Sequence, residues 1–235
     1  MSLPKIELPV FTATVPSTGK QVRLRVMKYK EEKILMFAKE DNSFGAKYNA
    51  LVQIVNNCLV SEGIDVMNLA LFDLEYLFLQ IRANSVSDKA SVQYRDGEDD
   101  KVRKFDIDLK KVVVTEARPT NRFEIQNGMY MTLRFPPVSL YTNQEFFDLT
   151  ETDAFNKIMT TCMDKIFEGD KVYNCKDSKS EELAEFLESI PAKTFAEIQK
   201  YFGEIPTLYY AIEYKNDNET DRKIELRSLS DFFTF

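Results

Sequence analysis

The sequence predicts an α+β protein in which helical N-terminal and C-terminal lobes flank a middle part rich in β-hairpins, with a further β-hairpin near each end. Apolar residues recur at the three- and four-residue spacing of amphipathic helices over 29–83 and again over 152–206. Over 86–137 they alternate as in half-buried strands, and Asn127 with Gly128 supplies a tight hairpin turn. The expected domains are 1–85 for the N-terminal hairpin and helices, 86–140 for the β-rich insert, and 141–235 for the C-terminal helices, hairpin and aromatic tail.

The composition is that of a folded, acidic chain. Of the 235 residues, 44% are hydrophobic and 29% are charged, with only 7 glycines and 8 prolines, which argues against disorder. The net charge of -7 and the pI of about 4.9 argue against a nucleic-acid partner, because phosphate recognition relies on a basic surface. The widely spaced cysteines favour a reducing compartment, and the start MSLPKIELPV lacks the features of a secretory signal, so we expect a cytoplasmic protein.

The first elements are expected to be a hairpin and two helices. Alternating residues at 11–15 and 21–27 flank the turn-rich sequence PSTGK and predict the hairpin. Helical spacing predicts helices over 29–40 and 46–60, each with one apolar stripe. Both helices are therefore expected to lie half buried.

The most apolar segment, LALFDLEYLFLQIRANSVSD at 69–88, predicts a buried helix and not a membrane span. Its apolar run is interrupted by Asp73, Glu75 and Gln80 and falls short of the roughly 20 apolar residues that a spanning helix needs. One set of apolar residues recurs at three- and four-residue spacing along one side of the helix, and a second set lies on the adjacent sides, so most of the helix surface is apolar. We expect the helix to be covered on several sides, by its own domain or by a partner.

The remaining strands and helices are predicted from the same two patterns, which are alternation for strands and three- and four-residue spacing for helices. The expected strands of the middle part lie at 92–94, 102–109, 112–117, 123–126 and 129–135. The expected helices of the last third lie at 152–169, 180–190 and 191–206, with Gly169 and the prolines at 191 and 206 as stops. A β-hairpin follows, and the chain ends in the aromatic tail SDFFTF at 230–235.

The sequence contains no histidine, which excludes mechanisms that use a histidine base and every histidine metal site. The glycines form no phosphate-binding motif, so no nucleotide cofactor is expected. Cys58, Cys162 and Cys175 lack a CxxC spacing, which favours buried packing over a disulfide, a metal site or a nucleophile. The acidic stretch DGEDD at 96–100 is expected to be a solvated turn and not a calcium site. We therefore expect no metal and no cofactor.

Aromatic residues are the main candidates for binding a partner. The chain has 18 Phe and 11 Tyr but no Trp, and aromatic side chains are common anchors of protein interfaces. Phe232, Phe233 and Phe235 lie in a terminal segment that is ordinarily polar, and Tyr209 and Tyr210 lie on the last predicted hairpin. These five residues form the candidate partner-binding site. Docking of the tail on its own domain is the alternative.

Three segments carry a resemblance to a known family. They are 3–40 with PSTG and EEK, 69–88 with DLEYLFLQIRANSVS, and 194–233 with TFAEIQKYFGEIPTLYYAIEY and LRSLSDFF. In this order, and over essentially the whole chain, they resemble the baseplate hub subunit family of T4-like contractile-tailed bacteriophages. The chain departs from the family's pattern at Ser87, where that pattern has glycine.

The resemblance implies a non-enzymatic role in tail assembly through protein contacts. The protein would be a hub assembly chaperone or a hub subunit, and its partners would be other hub proteins or the tape-measure protein. It would bind neither nucleic acid nor a membrane. Whether it forms a homo-oligomer stays open. It would act in the host-cell cytoplasm during assembly and, if retained, lie in the tail baseplate of the virion. A permanent structural component of the virion baseplate is the alternative. A carboxylate-dependent, tail-associated hydrolase is a remote one.

Overall fold

The computed structural model describes residues 6–41, 44–116 and 120–233 and confirms the α+β class. The helices are α1 (Tyr29–Glu40), α2 (Phe44–Cys58), α3 (Leu71–Ser85), α4 (Val138–Tyr141), α5 (Gln144–Phe147), α6 (Glu151–Cys162), α7 (Ser180–Glu188), α8 (Ala192–Gly203) and α9 (Leu229–Phe232). The strands are β1 (Val10–Thr14), β2 (Gln21–Arg25), β3 (Lys89–Arg95), β4 (Val102–Asp108), β5 (Val113–Val114), β6 (Arg122–Gln126), β7 (Met129–Leu133), β8 (Met163–Glu168), β9 (Lys171–Asn174), β10 (Leu208–Lys215) and β11 (Asp221–Leu226).

The strands form small antiparallel sheets. β1 pairs with β2, and β3 pairs with β4, as separate hairpins. β5 adds to the last hairpin in the order β11-β10-β5, and the largest sheet has the order β6-β7-β8-β9. Neighbours in sequence are neighbours in most of these sheets, because tight turns join antiparallel strands directly. The predicted hairpins near both ends and in the middle of the chain are confirmed.

The chain folds into two compact units, each assembled from separate segments. Unit 1 contains Met1–Val66, Phe72–Thr115 and Thr207–Phe235, and unit 2 contains Met67–Leu71 and Glu116–Pro206. Unit 1 thus brings together the N-terminal hairpin, the first helices and the C-terminal hairpin. The division into domains 1–85, 86–140 and 141–235, which rests on sequence pattern, stays a prediction.

Helix α3 is buried on several sides, as its sequence predicted. Its buried apolar side chains are Phe72, Leu74, Leu77, Phe78, Leu79, Ile81 and Ala83. Three of them, at 77–79, are consecutive and therefore point to different sides of the helix. The carboxylates of Asp73 and Glu75 are buried with them. None of the helices in the described segments combines the length and the apolar character that a membrane crossing requires.

The N-terminal hairpin buries one of its faces. Val22 and Leu24 are fully buried and alternate with exposed residues along β2. A backbone hydrogen bond of 2.8 Å from the Val15 N–H to the Lys20 carbonyl closes the turn between the strands. Leu24 also forms a β-bridge with Leu59, directly after α2, which joins the hairpin to the helices of unit 1.

Unit 2 is built on the four-stranded sheet. Asn127 and Gly128, between β6 and β7, have φ angles of 43° and 79°, as a type I′ turn requires, so the predicted hairpin turn is confirmed. The sheet shares an apolar core with α6, α7 and α8. The buried members of this core are Phe123, Ile125, Met131, Leu133, Met159, Met163, Cys175, Leu187, Ile190, Ile198 and Tyr201.

The helix predicted over 152–169 is wrong in its second half. Helix α6 ends at Cys162, and the next six residues form β8. The apolar spacing suits a helix as far as Ile166, but this residue pairs with Met131 on β7 and with Tyr173 on β9. Strand partners on both sides satisfy the backbone along β8, and this outweighs the local helical pattern. The neighbouring strand β9 was not predicted.

The strand expected over 112–117 is shorter than predicted. The strand covers Val113–Val114, which pairs with Tyr209 and Leu208 at the start of β10, and a backbone hydrogen bond of 2.9 Å from the Thr115 N–H to the Thr207 carbonyl follows it. Residue 117 lies outside the described residues.

Replacing Phe78 by alanine is expected to lower the free energy of unfolding by about 3 to 5 kcal/mol, because the ring is 1% exposed and its loss leaves a cavity. Phe37 on α1 is the matched control, since 67% of its surface is exposed. Phe37→Ala is expected to change the same quantity by less than about 0.5 kcal/mol. Urea unfolding followed by circular dichroism measures both variants, and equal losses would contradict the burial of α3.

Candidate functional site

The structure places four of the five predicted partner-binding residues in unit 1. Tyr209 and Tyr210 lie half buried on β10. Phe232 ends α9 and is only 2% exposed, so its ring belongs to the core, whereas the following Phe233 is half buried. Phe235 lies outside the described residues. As far as residue 233 the tail docks on its own unit, and a partner-binding role of these residues stays a prediction.

Phe232 and Phe233 line two grooves on unit 1. The larger groove, of about 610 Å³, lies between β3, β11 and α9, and the smaller, of about 300 Å³, lies beside the end of α3 and the start of β3. The ring of Phe233 meets that of Phe78 edge-on, with 6.3 Å between the centroids. Tyr94 and Glu225 also line the larger groove. We call the region lined by Tyr94, Glu225, Phe232 and Phe233 the C-terminal surface.

Charged side chains surround Tyr209 next to this surface. The Lys223 ammonium and the Arg227 guanidinium lie 5.8 Å and 5.2 Å from the centre of the Tyr209 ring. Both cations bind the carboxylate of Glu225, at 2.8 Å and 2.6 Å, and hold its pKa down to about 2. Aromatic rings with a charged rim are the composition of many protein-binding surfaces.

The C-terminal helix α9 is fixed to α3 by a buried carboxylate. The backbone N–H of Leu229 donates a hydrogen bond to Glu75, which is 8% exposed. Burial, together with the nearby Asp231 carboxylate, raises the pKa of Glu75 to about 7, although the Leu229 N–H opposes this shift. Asp231 itself accepts hydrogen bonds of 2.8 Å from the N–H groups of Arg227 and Ser228, which close the first turn of α9.

The second buried carboxylate of α3 binds the N-terminal hairpin. Asp73 is fully buried and accepts hydrogen bonds from the backbone N–H of Ser17 at 2.8 Å and from its hydroxyl at 2.5 Å. Ser17 belongs to the PSTG turn between β1 and β2. The turn is therefore held by a charge-assisted hydrogen bond to a residue 56 positions away.

The start of α1 is held in a similar way. Glu31 is fully buried and accepts hydrogen bonds from the Arg25 guanidinium at 2.9 Å and from the Lys28 N–H at 2.7 Å. Burial alone opposes ionisation of this carboxyl, but these donors outweigh it and hold the pKa of Glu31 below its usual value. At the other end of α3, the Ser85 hydroxyl accepts a hydrogen bond of 2.8 Å from the Met27 N–H. The segments that carry the family resemblance in the N-terminal part thus bind one another.

The ends of the hairpins β3–β4 and β10–β11 are joined by charged and polar side chains. Asp96 accepts a hydrogen bond of 2.5 Å from the Tyr214 hydroxyl and lies 3.3 Å from the Arg222 guanidinium. Arg103 bridges the carboxylates of Asp99 and Asp217. The expectation of a solvated DGEDD turn is wrong for Asp96, which is fully buried because the second hairpin covers it. In the described part of the chain no group of three or more His, Cys, Asp or Glu side chains is placed to hold a metal ion.

The three cysteines are buried, as the sequence predicted. Burial raises the pKa of the Cys58 and Cys175 thiols to about 11 and that of the Cys162 thiol to about 12. The reactive form of cysteine is the thiolate, so these thiols are poor nucleophiles near neutral pH.

Sequence reasoning missed the roles of Glu75 and Asp73. Both residues appeared in the sequence only as interruptions of an apolar run. A carboxylate inside a helix that is otherwise apolar is itself a signal, because a buried charge requires hydrogen-bond donors. The identity of the donors, Ser17 and Leu229, depends on the tertiary fold.

The fold and the C-terminal surface define a class of protein: an α+β framework held by buried carboxylates, with a surface of aromatic and charged side chains suited to protein contacts. The sequence model of the T4 bacteriophage base plate protein family matches residues 8–234, and the chain belongs to this family. Such baseplate proteins are generally structural and non-catalytic and contact other baseplate or tail proteins of the phage. No match was found among curated proteins or among solved structures.

Glu75→Gln is expected to change the pH dependence of stability. The folded carboxyl has a pKa of about 7, against about 4.3 in an unfolded chain, so the folded state binds more protons between these values. Stability contributed by this group is therefore present below pH 4 or so and lost as the pH rises through about 7. The glutamine variant, which stays neutral, is expected to be more stable than the wild type at pH 8, by on the order of 3 to 4 kcal/mol.

Urea unfolding at a series of pH values measures this effect. The exposed Glu40 on α1, changed to glutamine, is the control because its carboxylate lies in solvent. A Glu75→Gln variant that follows the wild-type pH profile would show that this carboxyl is not held in the buried position described.

Proposed function

We propose that this protein promotes assembly of the baseplate hub of a T4-like phage by binding other hub proteins, without catalysing a reaction. It acts as a hub assembly chaperone or as a hub subunit, and its partners are other hub proteins or the tape-measure protein. The observation that carries the proposal is the C-terminal surface, where the half-buried Phe233 lies between two grooves. Membership of the baseplate family supports partners from the phage tail.

The chemistry of the described side chains supports contact and not catalysis. The histidine-free chain lacks the usual base at neutral pH, and the buried thiols have raised pKa values. The buried carboxylates of Glu31, Asp73 and Asp96 are each bound by donors of their own unit. Groups engaged in this way stabilise the fold.

The proposed site of action is the host-cell cytoplasm during tail assembly. A permanent structural component of the virion baseplate is the second candidate, and the family membership favours it equally. Mass spectrometry of purified virions separates the two, because a chaperone is absent or far below stoichiometric amounts whereas a baseplate component is present in fixed copy number.

Co-expression with each hub protein and with the tape-measure protein of the same phage, followed by size-exclusion chromatography, tests the proposal. We expect a stable complex with at least one of them. Phe233→Ala is expected to weaken this complex about tenfold or more, because aromatic anchors carry much of the free energy of binding. Phe233 is preferred to Phe232, whose buried ring supports the fold.

Tyr173→Ala is the matched control, since Tyr173 is a partly exposed aromatic residue on β9 in unit 2. It is expected to leave the affinity unchanged. A complex that survives Phe233→Ala unchanged removes the C-terminal surface from the proposal, and failure to bind any hub or tape-measure protein removes the proposal itself.

A further inference from the structure

We propose that the outer face of α1, formed by Tyr29, Lys30, Lys33, Met36 and Phe37, binds an acidic amphipathic segment of a partner protein. Three of these residues, Tyr29, Met36 and Phe37, are apolar or aromatic and are 74%, 60% and 67% exposed. Successive residues of a helix are about 100° apart, so these three lie within about 100° of one another around the axis. They therefore lie on one side of the helix, with Lys33 between Tyr29 and the adjacent pair Met36 and Phe37. We call this set of three apolar residues the apolar strip.

The opposite face of α1 is fixed to unit 1. Glu31 and Ala38 are buried, and Ile34 and Leu35 are half buried. The hydrogen bonds from Arg25 to Glu31 add to this attachment. The helix thus presents its apolar strip from a fixed position, which lowers the conformational entropy that binding costs.

The first two turns of the outer face carry two lysines, Lys30 and Lys33, although the chain has a net charge of -7. Lys33 lies between the apolar residues, with its ammonium group 5.4 Å from the centre of the Tyr29 ring, and Lys30 flanks them. Of the two acidic residues of the first turn, Glu31 is buried against Arg25 and also lies 3.4 Å from the Lys30 ammonium, and Glu32 lies 3.4 Å from Arg82. Arg25 and Lys30 share the single charge of Glu31, so the pair of cations keeps a net positive charge.

The pattern of charge specifies the partner. An apolar strip with one lysine inside it and one beside it fits a segment that carries apolar residues and carboxylates, because such a partner packs against the rings and pairs with the ammonium groups. Glu40 lies on the same side of α1 at its C-terminal end. The acidic flank of the partner is therefore placed over the first two turns of the helix, next to Lys30 and Lys33.

A membrane surface is disfavoured as the occupant. Basic amphipathic helices do bind anionic lipids, but this attraction grows with the number of cations near the surface. Here the outer face contributes two lysines, and the net charge of the whole chain is repelled by an anionic surface. A protein segment with a few carboxylates is the better match.

Fluorescence anisotropy with two labelled helical peptides tests the inference on the full chain. Both peptides carry the same leucine strip at i, i+3, i+4 and i+7; one has glutamates and the other lysines beside it. We expect the glutamate peptide to bind at least about tenfold more tightly, with an affinity that falls at high salt. Phe37→Ala is expected to weaken its binding about tenfold, and Lys30→Glu with Lys33→Glu to reverse the preference.

Tyr173→Ala and Lys171→Glu are the matched controls, because both residues are exposed on β9 in unit 2. They are expected to bind the glutamate peptide like the wild type. Thermal unfolding is expected to be unchanged in Phe37→Ala, Tyr173→Ala and Lys171→Glu, whose side chains are exposed. The charge-reversed variant is expected to unfold at a lower temperature, because Lys30→Glu places a carboxylate beside the buried Glu31, so its binding is measured below that temperature.

Equal binding of the two peptides, binding of neither, or binding that Phe37→Ala leaves intact would overturn the inference. If the chain self-associates and Phe37→Ala abolishes this, the face binds a second copy of the chain. If the protein binds vesicles of anionic lipid and Phe37→Ala abolishes this, the face binds a membrane. The outcome is separate from that of the proposed function, since Phe37 and Phe233 are changed in different experiments.

Discussion

The burial of α3 is the constraint on which unit 1 depends. This helix is apolar on most sides and also carries two buried carboxylates, and an unpaired buried carboxylate costs several kcal/mol or more. Asp73 finds its donors in the turn of the N-terminal hairpin, and Glu75 finds one at the start of α9. Hydrophobic burial brings these segments together, and the two carboxylates fix which backbone groups meet them. Segments from both ends of the chain are in this way attached to one helix.

This arrangement separates the residues that build the framework from those available to partners. The PSTG turn, Glu31 and Asp73, which lie in the segments that resemble the phage family, bind other residues of unit 1. The residues proposed for partner contacts are different ones with exposed surface, Phe233 in the C-terminal surface and Phe37 on the outer face of α1. A baseplate protein that works through contacts needs both sets, since a rigid framework presents its anchors in a fixed geometry.

Elements whose identity is set by local spacing were predictable from the sequence. The α3 helix, the turn at Asn127 and Gly128 and the hairpins near both ends are of this kind. The strand β8 was not, because its apolar residues fit a helix equally well and only pairing with β7 and β9 decides between them. For the site, the sequence singled out Phe232 and Phe233 together. Only the packing against unit 1 shows that the first ring is buried and the second partly exposed.

Hydrogen exchange of the intact protein near neutral pH, followed by mass spectrometry, tests the attachment of the C-terminal segment to α3 most directly. Peptides covering Leu229–Phe232 and Leu71–Ser85 are expected to be protected to a similar degree, because both exchange when unit 1 opens as a whole. Exchange of the C-terminal peptide that is orders of magnitude faster than exchange in α3 would contradict the account, since the tail would then detach while the helix stays buried.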